Sequence, residues 1–406
     1  MTQPRRATRA ARSALGAPLL AATAAAVLGL TTAGPALALP ASAASAPSAL
    51  VAVADAGDAA VAGAYVVTLD PGTDAGALAA DLDLDVDHVY DDIVDGFAGD
   101  LDAAELAELR ADPSVVAIEE DQVFSVAATQ GINPAGGLWG LDRIDQRNRP
   151  LSGGYTYGTT ASNVTAYVID TGIATSHADF GGRAANVFDS LGGNGQDCQG
   201  HGTHVAGTIG GSTYGVAKGV QLRGLRVLGC DGRGSTSGII AAVDWVAANA
   251  QKPAVANMSL GGGFSSALNA AVDRLSASGV SVAVAAGNEN QNACNVSPAS
   301  ADSAVSVAAS DRNDAKASFS NFGTCTDLYA PGVGVTSAWL NGGTNTISGT
   351  SMASPHVAGV MALYKGRGGD AASSTVKSWL IGNATTNVVS GNVSGTPNRL
   401  LFTNGL

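Results

Sequence analysis

From about residue 133 onward, short apolar runs rich in β-branched residues alternate with longer Ala-rich or amphipathic stretches. The runs at 164–169, 221–228, 254–259, 280–285 and 303–308 have the length and continuity of strands buried on both faces. Helical stretches intervene at 237–250 and 267–278. Strands of this kind, each followed by a helix, predict a three-layer α/β fold, doubly wound around a mainly parallel sheet. Sheets of this type carry their ligands at the carboxyl ends of the strands, which says where chemistry should be sought.

The preceding segment has a different rhythm. Residues 65–69 predict a strand, 74–84 a helix, 89–97 a strand, 102–112 a helix and 115–120 a further strand. Asp102 followed by Glu105 fits an N-cap and its box partner. These segments suit the β-α-β-β-α-β order of a small ferredoxin-like α+β sandwich of about 65 residues, placed at 64–127. Residues 46–63 are Ala-rich and predict a linker. At the N-terminus, Arg5, Arg6, Arg9 and Arg12 precede an apolar run from about 15 to 30. Small-x-small sites follow at Ala36-Leu37-Ala38 and Ala41-Ser42-Ala43. Residues 1–45 therefore predict a signal peptide cleaved near 38–44 rather than a membrane anchor. No later segment is long and apolar enough to suggest stable membrane association.

Charge sharpens this division. The net charge of −13 over 406 residues is not evenly spread. Residues 1–127 hold 5 basic against 19 acidic residues, whereas 128–406 hold 16 against 15. The acidity lies in the part expected to be removed, and the near-neutral remainder has no basic stripe to bind nucleic acid. Four cysteines in an exported chain point to disulfides, for which sequence alone allows three pairings. None has the CxxC spacing of a structural zinc site.

Three motifs stand at or just beyond predicted strand ends. Asp170-Thr171-Gly172 closes the strand at 164–169, and Gly200-His201-Gly202-Thr203-His204 opens a helix. Gly349-Thr350-Ser351-Met352-Ala353-Ser354-Pro355-His356 opens another, with Pro355 expected in its first turn. Nucleophilic acyl transfer uses these residue types. A serine hydroxyl needs a base within reach, a histidine supplies one, and a buried carboxylate fixes the imidazole tautomer. At a helix N-terminus, the Ser351 amide can face a developing oxyanion. Asn288, after Ala285-Ala286-Gly287 at another strand end, could donate the second hydrogen bond to it.

In this order the motifs resemble those of the subtilase family, within its proteinase-K-like and aqualysin-like branch. Trp139–Ile144, Asn257-Met258-Ser259-Leu260-Gly261-Gly262 and Phe319-Ser320-Asn321-Phe322-Gly323 extend the resemblance over nearly all of 128–406. It implies a subtilisin-like catalytic domain at 128–406 and a secreted serine endopeptidase. Asp170 would orient, His201 act as base and acid, Ser351 attack and Asn288 stabilise the oxyanion. Ser259, Leu260, Gly261, Ala285, Ala286 and Gly287 would bind substrate. Their uncharged character implies apolar or small side chains at the cleaved position. His204, His177 and His356 read as structural, and His88 belongs to the prosegment.

The resemblance further implies that 64–127 is an inhibitory and folding-assisting prosegment, the chain's own intramolecular partner. Its end would lie in the substrate cleft and be cut near Ala127, with Phe124 in the apolar pocket three residues upstream. Cys198 would pair with Cys230 and Cys294 with Cys325, each closing a loop worth about 2–4 kcal/mol. No cofactor is implied for catalysis. Structural calcium is implied at Asp327 with the carbonyls of Asp302 and Ala304, and at Asp142, Asp145 and Gln146. Ser152 and Gly154 stand where some relatives place further ligands to the second ion. Protein substrates and a monomeric state complete the expectation. The other classes considered are a peptide-binding domain that does not cut and a protease inhibitor acting through 64–127.

Overall fold

The computed structural model describes residues 50–56, 60–126 and 138–406. The leader expected at 1–45 and the cleavage position at Ala127 lie outside them. The segment expected to be a prosegment contains β1 (Ala60–Leu69), α1 (Ala75–Asp81), β2 (Val86–Tyr90), β3 (Gly96–Asp100), α2 (Ala103–Ala111) and β4 (Val115–Val126). Its antiparallel strands lie in the order β4-β1-β3-β2. The Asp74 side chain accepts the Ala77 amide to start α1, and Asp102 and Glu105 form the expected capping box at α2.

Two expectations are corrected here. Within the expected linker, Val53–Ala54 pairs in parallel with Ile118 and Glu119, and residues 60–63 already belong to β1. Residues 89–97 form two strand ends and a turn rather than one strand. Polar Asp91, Asp92 and Asp95 interrupt the apolar run. The Asp95 carboxylate accepts the Gly72 amide at 3.0 Å, and its carbonyl accepts from Leu69. The turn is also held from outside, because the Ile93 amide donates to Asp244 at 3.2 Å.

In the remainder, α3 (Trp139–Ile144) precedes β5 (Thr165–Asp170), β6 (Ala184–Asp189), α4 (His201–Gly210), β7 (Gln221–Arg226) and β8 (Arg233–Ser235). Then come α5 (Thr236–Asn249), β9 (Ala254–Met258), β10 (Leu260–Gly263), α6 (Ser266–Ala277), β11 (Ser281–Ala285), β12 (Val305–Ser310) and β13 (Leu328–Pro331). The chain ends with α7 (Thr350–Gly368), α8 (Ser373–Asn383), β14 (Thr385–Thr386) and β15 (Arg399–Leu400). Among the described residues the main sheet has nine strands in the order β14-β15-β13-β12-β11-β9-β5-β7-β6. Neighbours run parallel except the terminal β14–β15 pair.

Side-chain alternation sets the layers. In β5, Ala166 and Val168 enter one core with residues of α4 and α7, whereas Tyr167 and Ile169 enter another with α5 and α6. Both faces are therefore covered, which is why these strands read as unbroken apolar runs.

The prosegment docks on α5 and α6 by the same logic. Val67, Phe97 and Leu109 fill its own core, while Val66, Tyr90 and Ala98 on the opposite face join the core formed by α5 and α6. Glu119 accepts the Ala267 amide at 2.7 Å in the first turn of α6, and Asp121 accepts the Ser237 amide at 3.1 Å in that of α5. Negative groups suit helix N-termini, where amides lack partners and the dipole is positive. Beyond these contacts β4 runs between β8 and β10, antiparallel to both. Phe124 lies opposite Gly234, and Val126 opposite Leu260.

Burial raises the Glu119 carboxyl above its usual range. It also pushes Asp244, beside prosegment residues Asp91 and Asp92, up to about 6. Carboxyls raised in this way lend docking stability that is complete below the ordinary carboxylate range and lost as pH climbs through the raised values. We predict that the thermal midpoint of the uncut Ser351→Ala chain falls more between pH 5 and 7 than that of the same chain carrying Asp244→Asn. Parallel pH profiles for the two proteins would refute this.

Candidate active site

Asp170 is the last residue of β5, and His201 is the first of α4. Both are completely buried, and His201 Nδ1 lies 2.8 Å from Oδ1 and 3.0 Å from Oδ2 of Asp170. The carboxylate is fixed further by the Thr171 amide, 2.7 Å from Oδ1. Asp197 then ties the two elements together. It accepts from Thr171 Oγ1 at 2.9 Å, from the Gly200 amide at 2.8 Å and from the Thr203 amide at 3.0 Å. Gly202 permits the close approach, because a β-carbon there would sit 2.2 Å from the Gly172 carbonyl oxygen.

Ser351 lies in the first turn of α7, which packs beside α4. Amides in a first turn have no helical carbonyl to bond, so the Ser351 N–H suits an oxyanion. Its hydroxyl donates to the Ser259 carbonyl at 3.1 Å, while His201 Nε2 is buried without a hydrogen-bond partner among the described residues. The structure thus joins Asp170 to His201 directly and brings Ser351 up on the neighbouring helix, with its hydroxyl turned to Ser259.

Pro355 departs from expectation. With α7 starting at Thr350, the proline falls in the second turn, where its missing N–H costs a helical bond to the Ser351 carbonyl. The Ser259 hydroxyl supplies the lost donor at 2.8 Å from that carbonyl oxygen. Asn257 supports it, donating to Ser259 Oγ at 2.8 Å and accepting from Ser354 Oγ at 2.7 Å. A buried polar chain therefore positions the backbone of Ser351 itself. Ser259 was expected only as part of the substrate wall. Asn257 and Ser354 stood in recognisable motifs, but no local sequence signal ties them together.

Asn288 follows β11. Its side-chain oxygen accepts the Thr350 amide at 2.8 Å and Thr350 Oγ1 at 3.0 Å, which fixes the orientation of the amide group beside Ser351. Asn321, to which sequence reasoning gave no role, holds the supporting loop. It donates to the Ala286 carbonyl at 2.9 Å and accepts the amides of Glu289 and Gln291 at 3.1 and 2.9 Å. Gly287 has φ +99°, and a β-carbon there would lie 2.2 Å from Asn321 Nδ2. Of the other residues expected as substrate walls, Leu260 and Gly261 pair with β4, while Ala285 ends β11 and Ala286 enters the loop to Asn288.

The remaining histidines are engaged elsewhere. His204 Nε2 faces the Val335 carbonyl at 3.1 Å, and burial, aided by nearby His201, lowers its pKa to about 3. His356 Nδ1 faces the Met352 carbonyl at 2.8 Å, and burial lowers it to about 4. His177 Nε2 lies 2.9 Å from the Gly343 carbonyl. Disulfides join Cys198 to Cys230 and Cys294 to Cys325.

Neither expected calcium position offers converging open ligands. Asp142 accepts the Ser152 and Gly153 amides at 2.9 and 2.8 Å, and Asp145 accepts the Thr156 amide at 2.6 Å. Gln146 Oε1 takes the Ser152 amide at 3.0 Å, so this loop closes through its own hydrogen bonds. The oxygens of Asp302, Ala304 and Asp327 do converge, but on the ammonium of Lys377. That ammonium stands where the expected ion would lie.

An α/β sheet with a histidine–carboxylate pair and a serine-bearing helix at its ligand edge defines a subtilisin-like serine protease. The sequence profile of the subtilase family matches residues 161–401, and that of peptidase inhibitor I9 matches 80–127. The chain is 54% identical over 322 residues to an extracellular serine proteinase from a Thermus species, covering 78% of each protein. It is 50% identical over 323 residues to alkaline serine exoprotease A of Vibrio alginolyticus, covering 79% of this chain but only 60% of that one. A crystal structure of a cold-adapted subtilisin-like serine proteinase superposes with a TM-score of 0.64 at 54% identity, covering 65% of this chain and 97% of that one. The chain belongs to the subtilase family and carries an I9-type prosegment. Among the described residues no helix is long and apolar enough to cross a membrane.

Ser259→Ala would leave the buried Ser351 carbonyl without its donor, a loss of about 1–3 kcal/mol. We predict a lower thermal midpoint and a kcat reduced about tenfold or more, with KM little changed. Pro355→Ala, by restoring the helical N–H, should recover part of both losses. Unchanged kcat and stability in Ser259→Ala would dismiss this positioning role.

Proposed function

We propose that the chain is a secreted serine endopeptidase that hydrolyses peptide bonds in proteins through an acyl-enzyme on Ser351. The buried Asp170–His201 pair, beside the helix that presents Ser351, carries this reading. On substrate entry the Ser351 hydroxyl turns from the Ser259 carbonyl to His201 Nε2, gives up its proton and bonds to the scissile carbonyl carbon. The oxyanion accepts from the Ser351 amide and Asn288. His201 then protonates the leaving amine as the C–N bond breaks, and Asp170 steadies the imidazolium throughout. Water, deprotonated by His201, attacks the ester and releases the acid, restoring the hydroxyl.

Substrate would enter as an antiparallel strand between β8 and β10, as β4 does. Ser259, Leu260, Gly261, Ala285, Ala286 and Gly287 would form uncharged walls favouring apolar or small side chains at the cleaved position. In the zymogen, the prosegment would serve as intramolecular inhibitor until self-cleavage near Ala127, leaving a monomeric enzyme from about 128 to 406. Phe124 would mark the second specificity pocket. The chemistry needs no metal. A structural calcium at Asp142, Asp145 and Gln146 would have to displace the amide bonds that now close that loop.

Ser351→Ala should lower kcat on casein by about 10⁶-fold, the scale set by subtilisin, itself a family member. It should also leave the secreted chain uncut, and termini confined to 125–130 in the wild type would place the self-cleavage. Asn288→Ala should cost about 10²–10³-fold in kcat, again on subtilisin's scale. Equal casein hydrolysis by wild type and Ser351→Ala would end the proposal.

A further inference from the structure

The pocket of oxygens at the far end of β12 and β13 has a resident cation of its own. Asp302 and Ala304 lie just before β12, and Asp327 lies just before β13. Their strands run parallel, so this cluster sits at the amino edge of the sheet, opposite the edge that carries Asp170 and Asn288. Lys377, on α8, extends its ammonium into the cluster. Nζ lies 2.9 Å from the Asp302 carbonyl oxygen, 2.6 Å from that of Ala304 and 3.0 Å from Asp327 Oδ2.

An ammonium has three N–H donors and no acceptor, and here three oxygens receive them. The single positive charge balances the single Asp327 carboxylate. Asp327 Oδ2 is held in turn by the Ser306 amide at 2.9 Å. The lysine and aspartate side chains are about one-fifth exposed at 21% and 17%, so the pair is partly withdrawn from water. A calcium ion takes six to eight oxygens at about 2.3–2.6 Å. It could bind here only by expelling an ammonium that already satisfies the same oxygens and neutralises the same charge. We propose that Lys377 is a tethered replacement for a structural calcium ion, and that this position in the native chain does not bind calcium.

The replacement changes what is fastened together. An ion held by Asp302, Ala304 and Asp327 would join only the approaches to β12 and β13. The lysine joins them to α8, whose Val376 and Leu380 pack in the core beside α7. The cross-link is covalent on one side, so chelation and dilution cannot remove it. Its distance from the catalytic edge assigns it to stability rather than to turnover.

The test uses the full-length Ser351→Ala chain, which removes self-digestion, and measures bound calcium by equilibrium dialysis and thermal midpoints in calcium or chelator. Adding Lys377→Met should lower the midpoint in chelator by about 5 °C, the scale expected when a partly buried ion pair loses one member. It should also create a calcium-dependent recovery, with one more ion bound than in the parent. Adding Asp327→Asn to Lys377→Met should abolish both the recovery and the extra ion. Asp327→Asn alone should leave the parent's bound calcium unchanged, a comparison that decides the matter even if Lys377→Met does not fold. The proposal is overturned if Asp327→Asn alone strips an ion from the parent, or if Lys377→Met folds and binds no additional calcium.

Discussion

A carboxylate and an imidazole excluded from water, held within one hydrogen bond of each other, set the terms for much of this molecule. Asp170 and His201 are both fully buried, and a charge in such a place must be paired and hydrogen-bonded to be tolerated. The pairing depends on the end of one strand and the start of one helix meeting without slack. Asp197 laces those two termini together, Gly202 lets the backbones touch, and the disulfide at Cys198 anchors the same loop to Cys230. The parallel sheet provides a common edge at which such termini gather. Strand β11 delivers Asn288 to that edge, and the loop before α7 delivers Ser351.

A second constraint acts on α7, the helix that presents Ser351. A proline in its second turn takes away the amide that would have bonded the Ser351 carbonyl, and a side chain from the neighbouring strand end takes over that bond. The serine is therefore held by contacts outside its own helix, through Ser259, Asn257 and Ser354. Positioning by several elements is stiffer than positioning by one helical ladder, because no single turn can fray and release it.

Much of the fold was legible because the strands are buried on both faces and so read as unbroken apolar runs. Strand 164–169 was placed within one residue, and Asp102 with Glu105 marked the start of α2 as expected. Asp170, His201, Ser351 and Asn288 were legible as motif residues, since each sits at an element boundary where composition changes. The turn at 91–95 was missed because Ile93 and Val94, inside it, were read together with the flanking apolar residues as one run, and its partner Asp244 is some 150 residues away. The polar chain behind Ser351 was invisible for the same reason: each link spans a gap near 100 residues, except the one from Asn257 to Ser259. Lys377 reads as an ordinary basic residue on a helix surface. Only three-dimensional proximity to Asp302, Ala304 and Asp327 reveals its part.

Strand β4 has a consequence for the timing of activity. It occupies the groove between β8 and β10 as part of the same polypeptide, so its local concentration there is on the order of millimolar, whatever the bulk concentration. Diluting the chain cannot vacate the groove while that connection is whole. Once the backbone is severed the contact becomes bimolecular, and emptying the groove then depends on volume and on destruction of the detached piece. Were the chain exported and cut as proposed, it would enter an effectively unlimited volume, and a single covalent event would convert a concentration-independent lock into one that the surroundings undo.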